Sequence, residues 1–242
     1  MTKLANRTAI VTGAGRGLGR AIARGLAREG AKLVLTARSV NELNAAAAEL
    51  SVGGAEVLTV PGDVTGERFV DALFQQTIDR FGRLDLLVNN AGAFDGGPLD
   101  ELSVEAWDKV IAINLRAPFL CTRAAMRIMK RQRAGRIINV GSISAQRVRP
   151  HSAPYSASKH GLWGLTQVTA LEGRDFGITC CCLHPGNIYV ERRHTDKPED
   201  AEPMMAPDEI AEVAVLMATL PPHVEMLEAI VLPHEQLYVG RG

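Results

Sequence analysis

Three side chains of the sequence have the types and spacing needed to move a proton to or from a substrate oxygen. Tyr155 and Lys159 are four residues apart, so on a helix they lie on one face, one turn from each other. Ser142 follows an apolar run that is typical of a buried strand. A free phenol is protonated near neutral pH, and a cationic ammonium close to it favours the phenolate. We therefore predict that Tyr155 is a general acid and base, that Lys159 tunes it, and that Ser142 polarises the substrate oxygen.

A glycine-rich run near the N-terminus has the composition and the position of a phosphate-binding loop. Gly13, Gly17 and Gly19 lie between a strand-like segment and a helical one. Glycine lets the backbone turn tightly and approach a pyrophosphate, and the start of a helix adds N–H groups and the positive end of a dipole. In this context the run predicts a dinucleotide site.

The end of the second strand-like segment indicates which dinucleotide binds. Many sites for NAD place a carboxylate there, which binds the ribose hydroxyls. This chain has Ala37 followed by Arg38, and Arg16 lies within the glycine run. Two guanidiniums and no carboxylate suit a 2′-phosphate, because Arg forms charge-assisted and often bidentate bonds with phosphate oxygens. We predict NADP(H) as the cofactor and keep NAD(H) as the weaker alternative.

These side chains need a scaffold of alternating strands and helices, and the hydrophobic pattern predicts one. Strands alternating with helices of this length are typical of a parallel sheet, and continuous apolar strands indicate helices on both faces. The predicted strands are 8–12, 32–36, 56–61, 84–89, 135–140, 178–184 and 227–232. The predicted helices are 17–29, 41–51, 67–81, 104–131, 155–176 and 207–219. We predict an α/β fold, a Rossmann-type doubly wound parallel sheet forming a single domain over residues 1–242, with a substrate loop or lid around 187–206.

Composition narrows the partners that we expect. Lys and Arg number 27, as do Asp and Glu, so bulk charge gives no reason to expect nucleic acid or an anionic membrane. No stretch reaches the roughly 18 apolar residues of a membrane span, and the N-terminus lacks a signal-peptide core, so we expect a cytoplasmic protein. Neither the six His nor the four Cys have metal-ligand spacing, and we predict no metal. In a buried strand, Cys181 points to one face and Cys180 and Cys182 to the other.

Together these motifs resemble the short-chain dehydrogenase/reductase family, and the resemblance covers essentially the whole chain. The glycine run has the family's G-x-x-x-G-x-G spacing, and residues 89–92 are similar to its N-N-A-G motif. The Tyr155-x-x-x-Lys159 pair preceded by Ser142 resembles its catalytic set. The resemblance implies an oxidoreductase that transfers hydride between a nicotinamide and a small carbonyl or secondary alcohol substrate.

The resemblance also implies roles for further residues. Asn114 holds a water of the proton relay, although an amide in an apolar helix also indicates a partner or a local kink. Asp63 binds the adenine amino group, although Asp is also a common helix cap. The implied catalytic residues are Ser142, Tyr155, Lys159 and Asn114. The implied cofactor-binding residues are Gly13, Arg16, Gly17, Leu18, Gly19, Arg38, Asp63, Val64, Asn90, Ala91, Gly92, Tyr155, Lys159, Pro185, Gly186 and Ile188.

The sequence departs from the family after the Pro185-Gly186 turn, where the nicotinamide carboxamide is held. Val190 stands where Thr is usual, so a side-chain contact there is in doubt. The substrate pocket is expected to be lined by Ser144, Gln146, Tyr189, Met204 and Met205. The charged run 191–193 is either a solvated surface or a steering element for an acidic substrate.

Two alternatives to the leading hypothesis remain open. One is an NAD-dependent alcohol dehydrogenase of the same family, and the other is a non-catalytic NADP(H)-binding redox sensor, which would not need Ser142, Tyr155 and Lys159. Use of the cofactor for epimerisation is typical of longer relatives. Because family members are usually tetramers or dimers, we expect a homo-oligomer, a homotetramer by preference, whose interface involves helices 104–131 and 155–176.

Overall fold

Seven strands form one parallel sheet in the computed structural model of the chain, which describes residues 2–189 and 203–238. The spatial order is β3-β2-β1-β4-β5-β6-β7, and every neighbouring pair is parallel. The strands are β1 Thr8–Thr12, β2 Lys32–Thr36, β3 Val57–Thr59, β4 Leu86–Asn89, β5 Gly135–Val140, β6 Ile178–Pro185 and β7 Glu228–Val231. The order reverses between β1 and β4, which creates a crevice at their carboxyl ends.

Helices cover both faces of the sheet, which confirms the predicted doubly wound fold. They are α1 Gly17–Arg28, α2 Val40–Val52, α3 Glu67–Phe81, α4 Val104–Ile111, α5 Ala117–Gln132, α6 Ala153–Gly173 and α7 Pro207–Thr219. One core packs α1, α2 and α7 against the sheet, and the other packs α3, α5 and α6 against the opposite face.

Alternate residues of a strand contribute to the two cores, as the pleat requires. In β1, Val11 packs in the first core and Ile10 in the second. In β6, Cys181 packs in the first core and Cys180 in the second, so the predicted alternation is confirmed for these two cysteines. Burial raises the pKa of the Cys181 thiol to about 12, so these cysteines are apolar core residues.

The stretch predicted as helical over 104–131 is helical, with an irregular turn at Asn114, where a partner or a local kink was expected. A π-helical segment, Ala112–Arg116, separates α4 from α5. Pro118 has no N–H to donate to the carbonyl of Asn114, four residues earlier. The Asn114 side chain instead bonds the backbone of Ala93, with Oδ1 accepting at 2.8 Å and Nδ2 donating at 2.9 Å. A missing donor and a competing side-chain contact together account for the widened turn.

Smaller differences lie at the ends of elements. The helix predicted over 155–176 begins at Ala153 and its last turn is a 3₁₀ segment, Arg174–Phe176. The strand predicted over 56–61 is shorter, Val57–Thr59. A short 3₁₀ turn, Ile143–Ala145, follows β5 and has no counterpart in the predicted elements.

The described ends of the predicted loop 187–206 are paired with each other. Ile188 and Met205 form a parallel bridge, with Tyr189 N–H donating to Met205 O at 2.8 Å. Residues 190–202 of this loop lie outside the described residues. Within residues 2–189 and 203–238, no helix has the length and apolarity of a membrane span, and no three His, Cys, Asp or Glu converge on a metal-sized site.

Candidate active site

The crevice between β1 and β4 contains a cleft of about 700 Å³. Eleven of the predicted cofactor-binding residues line it: Gly13, Arg16, Gly17, Leu18, Gly19, Arg38, Asp63, Val64, Asn90, Ala91 and Gly92. Further lining residues that were not assigned from the sequence are Gly15, Thr36, Ala37, Ser39, Glu42, Gly62 and Ile113. A smaller cavity, lined by residues 232–237 alone, brings together no groups from separate elements. The first cleft is therefore the candidate cofactor site.

Asn90 joins the two sides of this crevice. Its Nδ2 donates to Thr12 O at 2.9 Å and to Gly13 O at 3.3 Å. The backbone N–H groups of Asn90 and Ala91 each donate to Thr12 Oγ1 at 3.0 Å. Asn89 points into the sheet, where it donates to Asn139 Oδ1 at 2.8 Å. The N-N-A-G segment thus fixes the glycine loop of β1 to the end of β4.

Two glycines of the loop have physical reasons to be glycine. Gly13 has a φ of +66°, in the left-handed region that side chains disfavour. At Gly19, an added Cβ would lie 2.3 Å from Gly13 O and 2.4 Å from Asn90 Nδ2. The start of α1 is therefore packed against the loop, and residues 17–19 of its first turn line the cleft.

The charges at the adenosine end differ in one respect from the expectation. Arg16 and Arg38 both line the cleft, as predicted. The end of β2 carries no carboxylate, as predicted, and its Ala37 lines the cleft. A carboxylate that was not predicted comes from α2: Glu42 also lines the cleft, and its Oε1 lies 3.1 Å from Arg16 Nη1. Arg38 is exposed, and no ion pair involves it within residues 2–189 and 203–238. Ser39-Val40-Asn41-Glu42 has the S-x-x-E pattern of a helix start, which was the available signal for Glu42.

Asp63 lies in the cleft and caps a turn rather than a helix. Its Oδ1 accepts from the backbone N–H of Thr65 at 2.9 Å and from Thr65 Oγ1 at 2.8 Å. The helix that follows begins only after Gly66. One carboxylate oxygen thus holds the turn, and Asp63 also lines the cleft.

Tyr155 and Lys159 lie one turn apart on α6. Lys159 Nζ is 5.6 Å from the centre of the Tyr155 ring and donates to Val140 O at 2.8 Å. Lys159 is only 5 % exposed, whereas the Phe94 side chain beside Tyr155 is 66 % exposed. The Phe94 and Tyr155 ring centres are 5.3 Å apart. Phe94 was not predicted; its position two residues after the N-N-A-G motif was the only signal.

Ser142 follows β5 and belongs to a polar chain that sequence reasoning missed. Ser142 Oγ accepts from Ser144 N–H at 3.1 Å, and its carbonyl lies 2.9 Å from His184 Nδ1. His184 Nε2 is buried 3.4 Å from Glu228 Oε1, and Glu228 accepts a hydrogen bond from Gln146 Nε2. Burial lowers the pKa of His184 below its ordinary value, so the imidazole is neutral near pH 7.

Asn114 connects the helical layer to the predicted catalytic pair. Besides bonding Ala93, its Nδ2 donates to Ser158 Oγ at 3.2 Å, and Ser158 Oγ donates to Tyr155 O at 2.7 Å. Asn114 is fully buried. Its side chain therefore ties the loop after β4 to the turn of α6 that carries Tyr155.

The Pro185-Gly186 turn is held by Gln236, another residue that was not predicted. Gln236 Oε1 accepts from Asn187 N–H at 2.8 Å, and a Cβ on Gly186 would lie 2.2 Å from the same oxygen. Pro185, Gly186 and Ile188 do not line the cleft described above. The predicted departure at Val190 and the charged run 191–193 lie outside the described residues.

Similarity to known proteins extends over most of the chain. Residues 7–201 match a family model described as short chain dehydrogenase. A 3-oxoacyl-(acyl-carrier-protein) reductase from Synechocystis is 38% identical over 91% of this chain and 92% of its own length. A metagenomic short-chain oxidoreductase solved in complex with NADP is 36% identical, with a TM-score of 0.85 over 97% of this chain and 100% of its own. An alcohol dehydrogenase from Thermococcus sibiricus, solved with 5-hydroxy-NADP, is 33% identical, with a TM-score of 0.85 over 93% of this chain and 95% of its own.

Proposed function

The chain belongs to the short-chain dehydrogenase family, and from that premise we propose that it is an NADP(H)-dependent oxidoreductase that interconverts a small carbonyl compound and its secondary alcohol. The observation that carries the proposal is the pairing on α6, where the buried Lys159 ammonium lies 5.6 Å from the centre of the Tyr155 ring. A buried cation beside a phenol is an arrangement for acid–base chemistry rather than for stability alone.

The shape of the cleft fits a dinucleotide. Gly19 approaches Gly13 so closely that no side chain fits between them, which leaves backbone N–H groups facing the cleft for a pyrophosphate. Arg16 and Arg38 are the donors for a 2′-phosphate. The NADP carried by the metagenomic relative and the 5-hydroxy-NADP carried by the archaeal one support this choice over NAD(H).

Lys159 is placed to act on both cofactor and tyrosine. An ammonium has three N–H donors, and one of them is used by Val140 O. The remaining donors are available to the ribose hydroxyls of the nicotinamide nucleoside. The same ammonium lies 5.6 Å from the centre of the Tyr155 ring.

The proton transfer follows from these side chains. A bound nicotinamide supplies or accepts the hydride. During reduction, the Tyr155 hydroxyl donates its proton to the substrate oxygen, while Ser142 Oγ–H hydrogen-bonds the same oxygen and stabilises its developing negative charge. During oxidation, the Tyr155 phenolate accepts the proton of the alcohol. Asn114 is proposed to hold a water on the route by which Tyr155 exchanges its proton with solvent.

The oligomeric state and the cellular location of the protein are also part of the proposal. We place the protein in the cytoplasm as a homo-oligomer, a homotetramer or a dimer. Exposed apolar side chains on the helices expected at the interface, Trp107, Phe119, Val168 and Leu171, support an association through α4, α5 and α6. Light scattering coupled to gel filtration measures the mass of the assembly, and a mass of one chain would contradict this part.

Replacement of the phenol tests the function directly. Tyr155→Phe is expected to bind NADPH within about two-fold of the wild type but to lose at least about 1,000-fold in kcat for carbonyl reduction, because no group is left to donate the proton. Binding is followed by nicotinamide fluorescence, and turnover by loss of NADPH absorbance against a panel of aldehydes and ketones.

Ser51→Ala is the control, because it removes an exposed hydroxyl near the end of α2, outside the cleft. This variant should retain turnover. Near-normal activity of Tyr155→Phe would refute the assigned role. NADPH binding without turnover of any substrate by the wild type would favour the redox-sensor alternative.

A further inference from the structure

We propose that Glu42 is a specificity-determining residue that competes with the cofactor's 2′-phosphate for Arg16 and so reduces the preference of the site for NADP(H) over NAD(H). The inference rests on the proposed function, since it concerns the same dinucleotide cleft. The Glu42 carboxylate lines the cleft together with Arg16 and Arg38, the two arginines that were expected there alone.

Glu42 is held within the cleft by contacts on two sides. Its Oε1 pairs with Arg16 Nη1 at 3.1 Å, and its Cβ lies only 2.9 Å from the position that a Cβ on Gly15 would occupy. Arg38 and Ser39 line the same end of the cleft. A phosphate that binds both guanidiniums therefore arrives next to this carboxylate.

The electrostatic consequence depends on the cofactor. A 2′-phosphate carries up to two negative charges, so an unmoved Glu42 repels it and also occupies a donor of Arg16 that the phosphate needs. The side chains of Arg16 and Glu42 are 46% and 38% exposed, so their mutual attraction is weak and a phosphate can break the pair. NAD(H) has neutral ribose hydroxyls at this position, and the repulsion is absent.

The start of α2 provides a second position for the displaced carboxylate. Ser39 is the N-cap of α2, and its Oγ accepts from the Glu42 N–H at 3.3 Å. Glutamate at this third helical position can reach back to the backbone N–H of the cap residue and complete a capping box. In α7 the corresponding Glu209 does so, accepting from Ala206 N–H at 2.7 Å. We infer that NADP(H) binding moves Glu42 from Arg16 to the Ser39 N–H.

Titration of the purified full chain with NADPH and with NADH, followed by nicotinamide fluorescence, tests the inference. Glu42→Gln keeps the size of the side chain and removes its charge. It is expected to lower the Kd for NADPH by about five-fold and to change the Kd for NADH by less than about two-fold. Glu42→Ala, which also removes the carbonyl oxygen that an amide retains, should shift the ratio of the two Kd values in the same direction.

Glu49→Gln is the matched control, since Glu49 is also a glutamate of α2 that pairs with arginines of α1, Arg20 and Arg24, but lies outside the cleft. This variant should leave the ratio unchanged. A ratio that is the same in Glu42→Gln and wild type, or that moves toward NADH, overturns the inference and leaves the proposed function standing. Failure of the wild type to bind either cofactor overturns both.

Discussion

The buried ammonium of Lys159 needs hydrogen-bond partners, and the partner that it has determines where it lies. An ammonium that is 95% removed from solvent needs hydrogen-bond partners, because an unpaired buried charge is costly. Within residues 2–189 and 203–238, the hydrogen bond assigned to its Nζ is the one to Val140 O. The carbonyl fixes the ammonium two residues before Ser142 along the chain. A single backbone bond thus holds the cation 5.6 Å from the centre of the Tyr155 ring, beside the strand end that precedes Ser142.

Close approach at Gly19 leads to a prediction for cofactor binding. Gly19→Ala places a Cβ against Gly13 O and Asn90 Nδ2, both of which belong to the cleft wall, so the loop must move. We expect the Kd for NADPH to rise by more than about ten-fold, measured by nicotinamide fluorescence. Gly82→Ala is the control. Gly82 lies outside the cleft and has a φ of +76° with open space around an added Cβ, so this variant suffers only local backbone strain of about 1 kcal/mol. Equal affinities in the two variants would contradict the close-packing argument.

The interruption between α4 and α5 is the element that joins the two halves of the site. The widened π turn places the Asn114 side chain where it bonds both Ala93 and Ser158, on a loop and on a helix that are otherwise separate in sequence. A regular α-helix has 3.6 residues in each turn and would not widen at this position. The irregular turn therefore holds the loop after β4 against the turn of α6 that carries Tyr155.

Removal of the Asn114 side chain should weaken this connection. Asn114→Ala leaves the partly buried Ala93 N–H and C=O without their partners, and we expect a loss of about 1–3 kcal/mol in the free energy of unfolding. Urea unfolding followed by circular dichroism measures the change. Asn41→Ala, on the exposed side of α2, should alter the same quantity by less than about 0.5 kcal/mol. A similar, small effect of both substitutions would mean that the contacts of Asn114 contribute little to stability.

Local sequence patterns predicted the scaffold, whereas contacts between residues far apart in the sequence were not predicted. The order of strands and helices follows from hydrophobic periodicity, which each segment carries by itself. The pairing of Arg16 with Glu42 joins residues 26 apart, and that of Gln236 with Asn187 joins residues 49 apart. Such pairs depend on how elements pack, so the sequence alone indicated the cleft and the catalytic set but not the carboxylate or the amide that complete their surroundings.

Ionic contacts of carboxylates such as Asp85 determine how the stability of the protein changes in strong acid. Burial alone would raise the pKa of Asp85, but hydrogen bonds from Arg83, from the Thr8 N–H and from Arg7 outweigh it and lower that pKa. A carboxylate whose pKa is lowered on folding contributes stability above the pKa of its unfolded form, and that contribution is lost as the pH falls below about 4. The stability that Asp85 contributes is therefore lost at a pH well below the range in which histidine titrates.

His184 predicts a separate loss of stability in the range of histidine titration. The imidazole is fully buried, and burial lowers its pKa despite the neighbouring Glu228, with Lys159 opposing protonation as well. The unfolded chain then binds more protons than the folded one below about pH 6.5, so the free energy of unfolding falls as the pH decreases from 7.5 to 5.5, by at most about 1.4 kcal/mol per pH unit.

Urea unfolding at several pH values measures this dependence. The slope of the unfolding free energy against pH should be shallower for His184→Asn than for the wild type, whatever the absolute stability of the variant. Equal slopes for His184→Asn and the wild type would show that His184 binds its proton equally well in the folded and unfolded chains, and that Glu228 compensates fully for its burial.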